Sequence, residues 1–339
     1  MTAAPGPRNL ITDVPGLLVG QAEDAAARTG VTVLLPEDRA VAACDVRGGG
    51  PGTRETDALA AENLVEAVDA VVLSGGSVYG LAAADGVVSY LGARGRGFGL
   101  VKREGVPVSP VVPAAILYDL ANGGDKAWGE TPPYARLGRE AAAAAGLDFA
   151  LGTAGAGAGA MAGALKGGAG SASWICEDGT AVGAIACVNS QGSVVAPGGR
   201  TFWAAPFEVN GEFGGLGAAG LSAAPGEWGL SKGAAAPRRN TTIACVATDA
   251  ALTPAQARRL AIMAQAGLAR AIRPAYSPFD GDVVFALSTC RRPLTGGDGQ
   301  LARLGAIAAD CLARAIARGV YEARAWPGTD TPAWRDLPA

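Results

Sequence analysis

The sequence predicts an α/β protein, because short apolar segments with strand character alternate with segments of helical spacing. Residues 69–91 combine a β-branched run, a Gly-Gly-Ser turn and a helical pattern. Residues 242–248 alternate like a strand and are followed by a capped helix. Residues 278–289 predict a turn that leads into a buried strand, and a second amphipathic helix follows that strand.

The first of these segments predicts a strand, a tight turn and a helix. Gly75, Gly76 and Ser77 form the turn, and apolar residues recur with helical spacing behind it. These residues are Leu81, Ala84, Val88 and Leu91. A nucleophile elbow also joins a strand to a helix, but here the G-x-S-x-G pattern is not met and the chain has no histidine. The elbow interpretation is therefore rejected.

The middle of the chain is rich in glycine. Residues 154–173 contain a G-x-G-x-x-A motif, beginning at Gly157, that loosely matches a dinucleotide-binding fingerprint. A helix should begin directly after such a fingerprint, yet Gly167 and Gly168 interrupt the segment. We interpret the glycines as a backbone that passes close to another part of the protein. A non-catalytic nucleotide-binding protein is the alternative.

Turn signals continue beyond this region. Residues 181–195 predict a hairpin, with a buried strand, a turn at 189–192 and the start of a second strand. Residues 197–239 show no sustained period and predict a long irregular connection. Loops of that length are usually functional or disordered.

Two helices complete the pattern. Thr253 is the N-cap of the first, with Pro254 at the first helical position and Gln256 completing a capping box. That helix is expected to stop before Pro274. The second helix has Gly319 as its stop signal. Its inward-facing residues are Leu301, Leu304, Ile307, Ala308, Cys311 and Leu312. The residues beyond it are predicted to form a surface tail.

Composition excludes several classes of function. The 339 residues are 49% hydrophobic and 17% charged, which is typical of a compact globular protein. A formal net charge of -3 with scattered Lys and Arg offers no basic surface to nucleic acid. The six cysteines form no C-x-x-C pair and are predicted to be reduced core residues. The sequence lacks a membrane span and an N-terminal targeting pattern, so no membrane partner and a cytoplasmic location are expected.

The chain contains no histidine. This excludes Ser-His-Asp and Cys-His arrangements, H-E-x-x-H metal sites and the commonest general base near neutral pH. A base in this protein must be a carboxylate, a desolvated lysine or a backbone α-amine, whose ordinary pKa is about 7.7 to 8.0. The lysines are Lys102, Lys126, Lys166 and Lys232.

Asn240 and Thr241 precede the strand at 242–248 and follow the long irregular connection. Ordinary turn and strand-start residues have this character, and that interpretation remains open. The alternative is an attack of the Thr241 hydroxyl on the carbonyl of Asn240, an N-to-O acyl shift and ester hydrolysis. The cut would leave Thr241 as a new N-terminus, and its free α-amine could then act as the base for its own hydroxyl.

Five sequence blocks occur in a characteristic order. They are "ITDVPGLLVG", "GGGPGTRETD", "VVLSGGSVYGLAAADGV", "NTTIACVATDA" and "RAIRPAYSPFDGDVVFAL". Together they resemble the DmpA-type aminopeptidase family of self-processing N-terminal-nucleophile hydrolases. That family includes β-peptidyl aminopeptidases and 6-aminohexanoate (nylon) oligomer hydrolases. The resemblance extends from about Asn9 to Gly319.

The resemblance implies a cut between Asn240 and Thr241, with Thr241 as the nucleophile. It implies Asp280 and Asp282, in "FDGD", as the acidic partners of the nucleophile. The β-aminopeptidases are expected to have Ser and Glu at these places, so the Asp pair favours the nylon-hydrolase branch.

Three further residues receive roles from the resemblance. Tyr79 and Asn189 match the oxyanion donors, and Lys166 in "LKGG" matches a lysine near the nucleophile whose charge would lower the pKa of the α-amine. Without the resemblance, each is an ordinary structural residue. Tyr276 stands where a histidine is expected in many relatives.

The implied fold is a four-layer α-β-β-α sandwich. It is expected as one domain over residues 1–339, cut into a large fragment 1–240 and a small fragment 241–339. The cut heterodimers are expected to form a homotetramer that needs no metal or cofactor. Expected substrates are small peptides or 6-aminohexanoate oligomers. The alternatives are a β-peptidyl or L-aminopeptidase only, and an acyl transferase resembling ornithine acetyltransferase.

Overall fold

The computed structural model describes residues 2–101, 103–219, 221–232 and 240–338. Its strands are β1 Leu17–Asp24, β2 Thr29–Pro36, β3 Ala40–Val46, β4 Thr53–Arg54, β5 Ala67–Val68, β6 Val71–Ser74, β7 Ala114–Ile116, β8 Met161–Ala162, β9 Leu165–Lys166, β10 Gly168–Ile175, β11 Ala181–Asn189, β12 Thr241–Ala250 and β13 Val283–Arg292. Its α-helices are α1 Ala83–Gly92, α2 Tyr134–Ala143, α3 Pro254–Ala271 and α4 Gly297–Tyr321.

The strands form two main sheets. One has the order β1-β2-β6-β7-β4 and the other β10-β11-β12-β13-β3-β5, while β8 and β9 form a separate hairpin. Most neighbouring strands are antiparallel, but β12 and β13 run parallel, with Ile243 opposite Val283. Parallel neighbours need a crossover connection, and α3 supplies it here.

Three apolar layers hold the sheets and helices together. Phe285 and Val19 belong to a layer between the two sheets. Val246 and Leu260 belong to a layer between the larger sheet and helices α3 and α4. A third layer lies between the smaller sheet and helices α1 and α2. The order is therefore helix, sheet, sheet, helix, and the predicted α-β-β-α sandwich is confirmed.

Strand β12 is covered on both faces, since all ten of its residues are buried. Ile243, Cys245 and Ala247 face the layer between the sheets, whereas Ala244 and Val246 face the helices. Side chains alternate along a strand, so Thr241 lies on the side between the sheets.

Several local predictions hold. The capping box of α3 is present, with Gln256 N–H donating to Thr253 Oγ at 3.3 Å and Thr253 N–H to Gln256 Oε1 at 2.9 Å. Within 197–232 the described residues form turns and one 3-10 helix, Ala205–Phe207. Residues 220 and 233–239 of the predicted connection lie outside the described residues. None of the described helices is long and apolar enough to cross a membrane.

The hairpin predicted within 181–195 is wrong. Strand β11 pairs with β10 on one side and β12 on the other. The glycine-rich β10 is a strand because it pairs with β11, and its glycines allow α4 to pack directly on its backbone. A Cβ at Gly170 would lie 2.0 Å from the carbonyl oxygen of Ala315 and 2.3 Å from Gly319 N. Gly319 is therefore a contact point inside α4 rather than its stop signal.

Two other predictions need correction. Cys290 is exposed, although the other cysteines are buried as predicted. The predicted surface tail is docked: the Trp334 ring stacks on Phe202 with centroids 5.3 Å apart. The indole Nε1 of Trp334 donates to the carbonyl oxygen of Arg200 at 2.8 Å.

We expect Trp334→Ala to lower the free energy of unfolding by about 3 to 5 kcal/mol, the usual cost of removing a buried large aromatic side chain. Trp228→Ala is the matched control, because Trp228 is 44% exposed and Trp334 only 4%. Its effect should stay within about 0.5 kcal/mol. Urea unfolding of both variants in a Thr241→Ala background, chosen so that the predicted cut cannot complicate the transition, measures the difference. Equal losses would show that the tail contributes no specific packing.

Candidate active site

The bond predicted to be cut lies where β12 enters its sheet. Asn240 and Thr241 are both buried, with exposures of 2% and 4%. The Thr241 hydroxyl donates a hydrogen bond to the carbonyl oxygen of Asn240. The Gly281 N–H donates to the same oxygen at 3.0 Å. The hydroxyl therefore lies beside the peptide bond that precedes it.

The loop before β13 runs alongside this bond. Asn240 forms a parallel bridge with Asp280. Gly281 lies at the closest approach, since a Cβ there would be 2.8 Å from Thr241 Oγ and 2.7 Å from the carbonyl oxygen of Gly50. Alanine at this position would have to displace its neighbours. The residue between the two aspartates is thus a glycine for a steric reason.

The Asp282 carboxylate contacts backbone on both sides of the site. Its Oδ1 accepts from Thr242 N–H at 2.7 Å, and its Oδ2 accepts from Tyr276 N–H at 3.2 Å. Burial raises the pKa of Asp282 to about 7, and the nearby Asp280 charge adds to this effect. The two N–H donors act in the opposite direction. Asp282 therefore titrates near neutral pH in the uncut chain.

The Asp280 carboxylate is equally buried but has different partners. Its Oδ1 accepts from Gln191 N–H at 3.1 Å. Its Oδ2 accepts from the Ser277 hydroxyl at 2.6 Å and from Ser277 N–H at 3.2 Å. The Ser277 hydroxyl also contacts Gln191 Oε1. Asp280 is thus fixed by its own loop and by the segment after β11.

Asn189 is the last residue of β11 and lies opposite Thr241 in the sheet register. Its Oδ1 accepts from Met161 N–H at 2.9 Å, and its Nδ2 donates to the carbonyl oxygen of Tyr118 at 3.1 Å. These two bonds assign the amide orientation and hold its plane. The structure therefore brings Asn189 together with Thr241, as the resemblance implies.

Tyr79 lies in a 3-10 helix, Ser77–Ala82, directly after the Gly-Gly turn. Its side chain is 47% exposed, and its ring meets Trp128 edge to face at 5.8 Å. The buried Asp119 holds the turn, since its carboxylate accepts from Gly76 N–H at 2.8 Å and the Thr29 hydroxyl at 2.6 Å. Asp119 follows Tyr118, so one short segment supports both Tyr79 and Asn189.

Lys166 is buried on the β8–β9 hairpin, where it pairs with Met161. Its ammonium donates to the carbonyl oxygens of Gly157, Ala160 and Gly167 at 3.1, 3.0 and 2.6 Å. Burial lowers the pKa of Lys166 to about 7, opposed by the Asp119 charge. Met161, the strand partner of Lys166, donates its N–H to Asn189 Oδ1. Lys166 is therefore connected to the Asn189 amide through Met161. The described partners of its ammonium are carbonyl oxygens rather than Thr241.

The sequence prediction missed Gln191 and Ser277, and it listed Lys232 as a candidate base without placing it at the site. Lys232 Nζ donates to the carbonyl oxygen of Asn189 at 3.3 Å. Burial lowers the pKa of Lys232 to about 7, and the Asp280 charge opposes this shift. The scarcity of lysines draws attention to Lys232, but no local pattern indicates which residues it contacts. Gln191 and Ser277 carried no local signal, because their role depends on a contact between distant segments.

The glycine motif at Gly157 does not open a helix. It lies in a 3-10 turn, Gly155–Gly157, ahead of the β8–β9 hairpin. A Cβ at Gly157 would lie 2.1 Å from Ala169 N, so the backbone does pass close to another strand. Among the described residues, no group of three His, Cys, Asp or Glu side chains is placed to hold a metal ion.

Two stacked sheets between helix layers are an architecture that this chain shares with the N-terminal-nucleophile (Ntn) hydrolase fold. The solved L-aminopeptidase/D-Ala-esterase/amidase of Ochrobactrum anthropi, a variant of that fold, superimposes with a TM-score of 0.72. The sequences are 22% identical, and the match covers 98% of this chain and 91% of that one.

The sequence profile of Peptidase family S58 matches residues 9–333, so the chain belongs to that family. An uncharacterized aminopeptidase of Mycobacterium tuberculosis is 46% identical over 97% of this chain and 98% of its own length. A 6-aminohexanoate-oligomer endohydrolase of Kocuria sp. is 28% identical over 92% of this chain and 86% of its own length. The protein is a hydrolase of the aminopeptidase type.

The raised pKa of Asp282 predicts a pH-dependent stability. An aspartate in the unfolded chain has a pKa of about 3.9, whereas Asp282 titrates at about 7 in the fold. Between these values the folded state binds more protons, so the free energy of unfolding falls as pH rises. An asparagine side chain at this position would not titrate. We therefore expect the free energy of unfolding of Asp282→Asn, measured relative to that of its parent, to rise by roughly 2 to 4 kcal/mol from pH 4 to pH 8.

Urea unfolding at several pH values, again in a Thr241→Ala background, measures this trend. The trend is the test, because the acceptor oxygen lost in the Asp282→Asn variant shifts the stability at all pH values alike. Asp148→Asn is the control, since the Asp148 side chain is 83% exposed and carries no burial penalty. A flat difference for Asp282→Asn would contradict the assignment.

Proposed function

We propose that the protein is a self-processing amide hydrolase whose nucleophile is the N-terminal Thr241 of a fragment made by its own cut. The observation that carries the proposal is the position of the Thr241 hydroxyl against the carbonyl of Asn240. Two buried carboxylates flank that position, on Asp280 and Asp282. A surface turn would not need these features.

In the proposed cut, Thr241 Oγ attacks the carbonyl carbon of Asn240. The C–N bond breaks, the hydroxyl proton goes to the departing nitrogen, and an ester joins the two residues. Water then adds to the ester carbonyl, the C–Oγ bond breaks, and Oγ regains a proton. The products are residues 1–240, ending in a carboxylate, and residues 241–339, beginning with a free amine.

The mature site would use the same threonine on its substrate. The α-amine has an ordinary pKa of about 7.7 to 8.0 and can accept the proton of its own hydroxyl near neutral pH. Asp280 and Asp282 would hold the ammonium form and tune the proton exchange. The charge of a protonated Lys166 would favour the neutral amine.

The proposed oxyanion donors are Tyr79 Oη and Asn189 Nδ2. The bonds from Asn189 to Tyr118 and Met161 fix its amide before substrate arrives, which is the condition for strong electrostatic stabilisation. One such donor is typically worth about 3 to 4 kcal/mol of transition-state stabilisation.

Two substrate classes fit this machinery. The relatives at 46% identity are named aminopeptidases, which supports release of N-terminal residues from small peptides. The relative at 28% identity is named for endo-hydrolysis of 6-aminohexanoate oligomers. Both reactions pass through an acyl ester on Thr241. The expected cytoplasmic homotetramer stays a prediction.

The cut itself can be tested on a denaturing gel with N-terminal sequencing. We expect two bands from the natural chain, the smaller beginning Thr-Thr-Ile-Ala, and one uncut, inactive band from Thr241→Ala. Thr242→Val is the matched control, because the Thr242 hydroxyl is buried and has no hydrogen-bond partner among the described residues. It should be cut at the same bond. An active, unbroken natural chain would refute the proposal.

The substrate class can be tested by blocking the substrate amine. An aminopeptidase must bind the free ammonium of its substrate. N-acetylation of a tripeptide removes that ammonium and leaves the buried enzyme group that binds it without a partner, which costs several kcal/mol. Turnover of the acetylated tripeptide should therefore fall below about 1% of that of the free tripeptide. An endo-acting hydrolase of 6-aminohexanoate oligomers would cut the acetylated oligomer at a similar rate. Liquid chromatography of the products distinguishes the two outcomes.

A further inference from the structure

We infer that the backbone N–H of Gly281 is the oxyanion donor for the self-cleavage step, separate from the donors proposed for substrate hydrolysis. The inference rests on the proposed function, since it assigns a role within the cut at Asn240–Thr241. It adds a group that the sequence resemblance does not supply. Because the donor is a backbone N–H, the type of residue at this position does not reveal its role.

The geometry meets the requirement for such a donor. Gly281 N–H already donates to the Asn240 carbonyl oxygen at 3.0 Å in the intact peptide, and this is the oxygen on which negative charge develops when the carbonyl carbon is attacked. The Thr241 hydroxyl lies against the same carbonyl. Nucleophile and donor therefore meet at one peptide group before any bond is cut. Tyr79, in contrast, is a half-exposed side chain on another sheet's turn.

The donor is held in place by a second layer of backbone bonds. Gly48 N–H donates to the Asp282 carbonyl oxygen at 3.2 Å, and Gly50 N–H donates to the Asp280 carbonyl oxygen at 2.8 Å. The Gly50 bond holds the Asp280–Gly281 peptide group that carries the donor, and the Gly48 bond holds the Asp282–Val283 peptide group further along the loop. A donor that cannot reorient costs no reorganisation when charge develops on the oxygen. The Gly281 peptide does not depend on the Gly50 bond alone, because the Asp280 and Asp282 carboxylates on either side of it also accept backbone N–H bonds.

The Gly281 N–H stabilises the charge in the acyl shift but forms and breaks no covalent bond. The bond from Thr241 Oγ to the Asn240 carbonyl carbon forms, and the C=O electron pair moves onto the oxygen that Gly281 N–H contacts. The pair then returns as the C–N bond breaks, and the Thr241 nitrogen leaves with the hydroxyl proton. Gly281 keeps its own proton throughout, and water enters only in the later ester hydrolysis.

The direct test replaces the Gly281 residue by glycolic acid in the full chain, so that an ester oxygen takes the place of the N–H. We expect self-cleavage to slow by about 100- to 1,000-fold, the usual effect of losing one oxyanion donor. Intact-mass spectrometry over time gives the rate and separates a cut at 240/241 from ester breakage at 280/281.

The same replacement at Gly50 is the matched control. An ester at 281 also weakens the Asp280 carbonyl as an acceptor for Gly50 N–H, and the ester at 50 removes that bond entirely. We expect the Gly50 ester to slow the cut by less than about threefold, because the scissile carbonyl keeps its donor. Equal slowing by both esters would overturn the inference.

A second pair of variants keeps the backbone N–H and tests separately whether the close approach of Gly281 to the scissile bond is needed for the cut. Gly281→Ala places a Cβ 2.8 Å from Thr241 Oγ, whereas a Cβ at Gly50 has its nearest neighbour, the Asp280 carbonyl oxygen, at 3.7 Å. We expect Gly281→Ala to stay uncut and Gly50→Ala to cut normally. Circular dichroism of each chain confirms folding.

The outcomes separate the inference from the proposed function. If the natural chain is not cut before Thr241, the proposed function fails regardless of Gly281. If the natural chain cuts there and the Gly281 ester cuts as fast, only the inference fails.

Discussion

The parallel pairing of β12 with β13 is the constraint on which the site depends. It places Asn240 beside Asp280, Thr241 beside Gly281, and the Thr242 N–H on the Asp282 carboxylate. A shift of the register by one residue would turn the side chains of β12 to the opposite faces and move Thr241 out of the space between the sheets. The buried layers on both faces of β12 oppose such a shift, so the stability of the core and the geometry of the site have a common origin.

The site contains two buried carboxylates close together, an arrangement that favours the binding of a positive charge between them. Asp280 and Asp282 are both buried, and burial with mutual repulsion raises the pKa of Asp282 to about 7. Lys232 neutralises these acids only in part, because burial lowers its pKa to about 7 despite the opposing Asp280 charge. A new α-ammonium beside the two carboxylates would favour their charged forms. The proposed cut would therefore create the base and relieve the unfavourable burial of the acids in one event.

Sequence patterns predicted the parts of this protein that are determined locally. The capping box of α3 and the strand at β12 depend on neighbouring residues, and both are present. The hairpin assigned after β11 was wrong because the true partner, β10, carries glycines where α4 packs on its backbone. Gln191 and Ser277 escaped prediction for the same reason, since only long-range register brings them to Asp280. Of the residues named by resemblance to a family, Asn189, Asp280 and Asp282 lie beside the Asn240–Thr241 segment, and the resemblance could name them because it already contains long-range information.

The sheet order explains how a cut chain could remain one protein. In the larger sheet β12 and β13 lie between β11 and β3, so the strands after position 240 are enclosed by strands before it. The docked tail adds contacts of the same kind, because the Pro332 carbonyl accepts from Lys166 N–H at 2.8 Å and Trp326 Nε1 donates to the Ala158 carbonyl at 2.7 Å. Separating the fragments would expose the buried faces of both central strands to water. The hydrophobic effect therefore opposes dissociation of the two fragments, and the peptide bond between them is not needed to hold them together. A free N-terminus can thus be created in the middle of a sheet without loss of the fold.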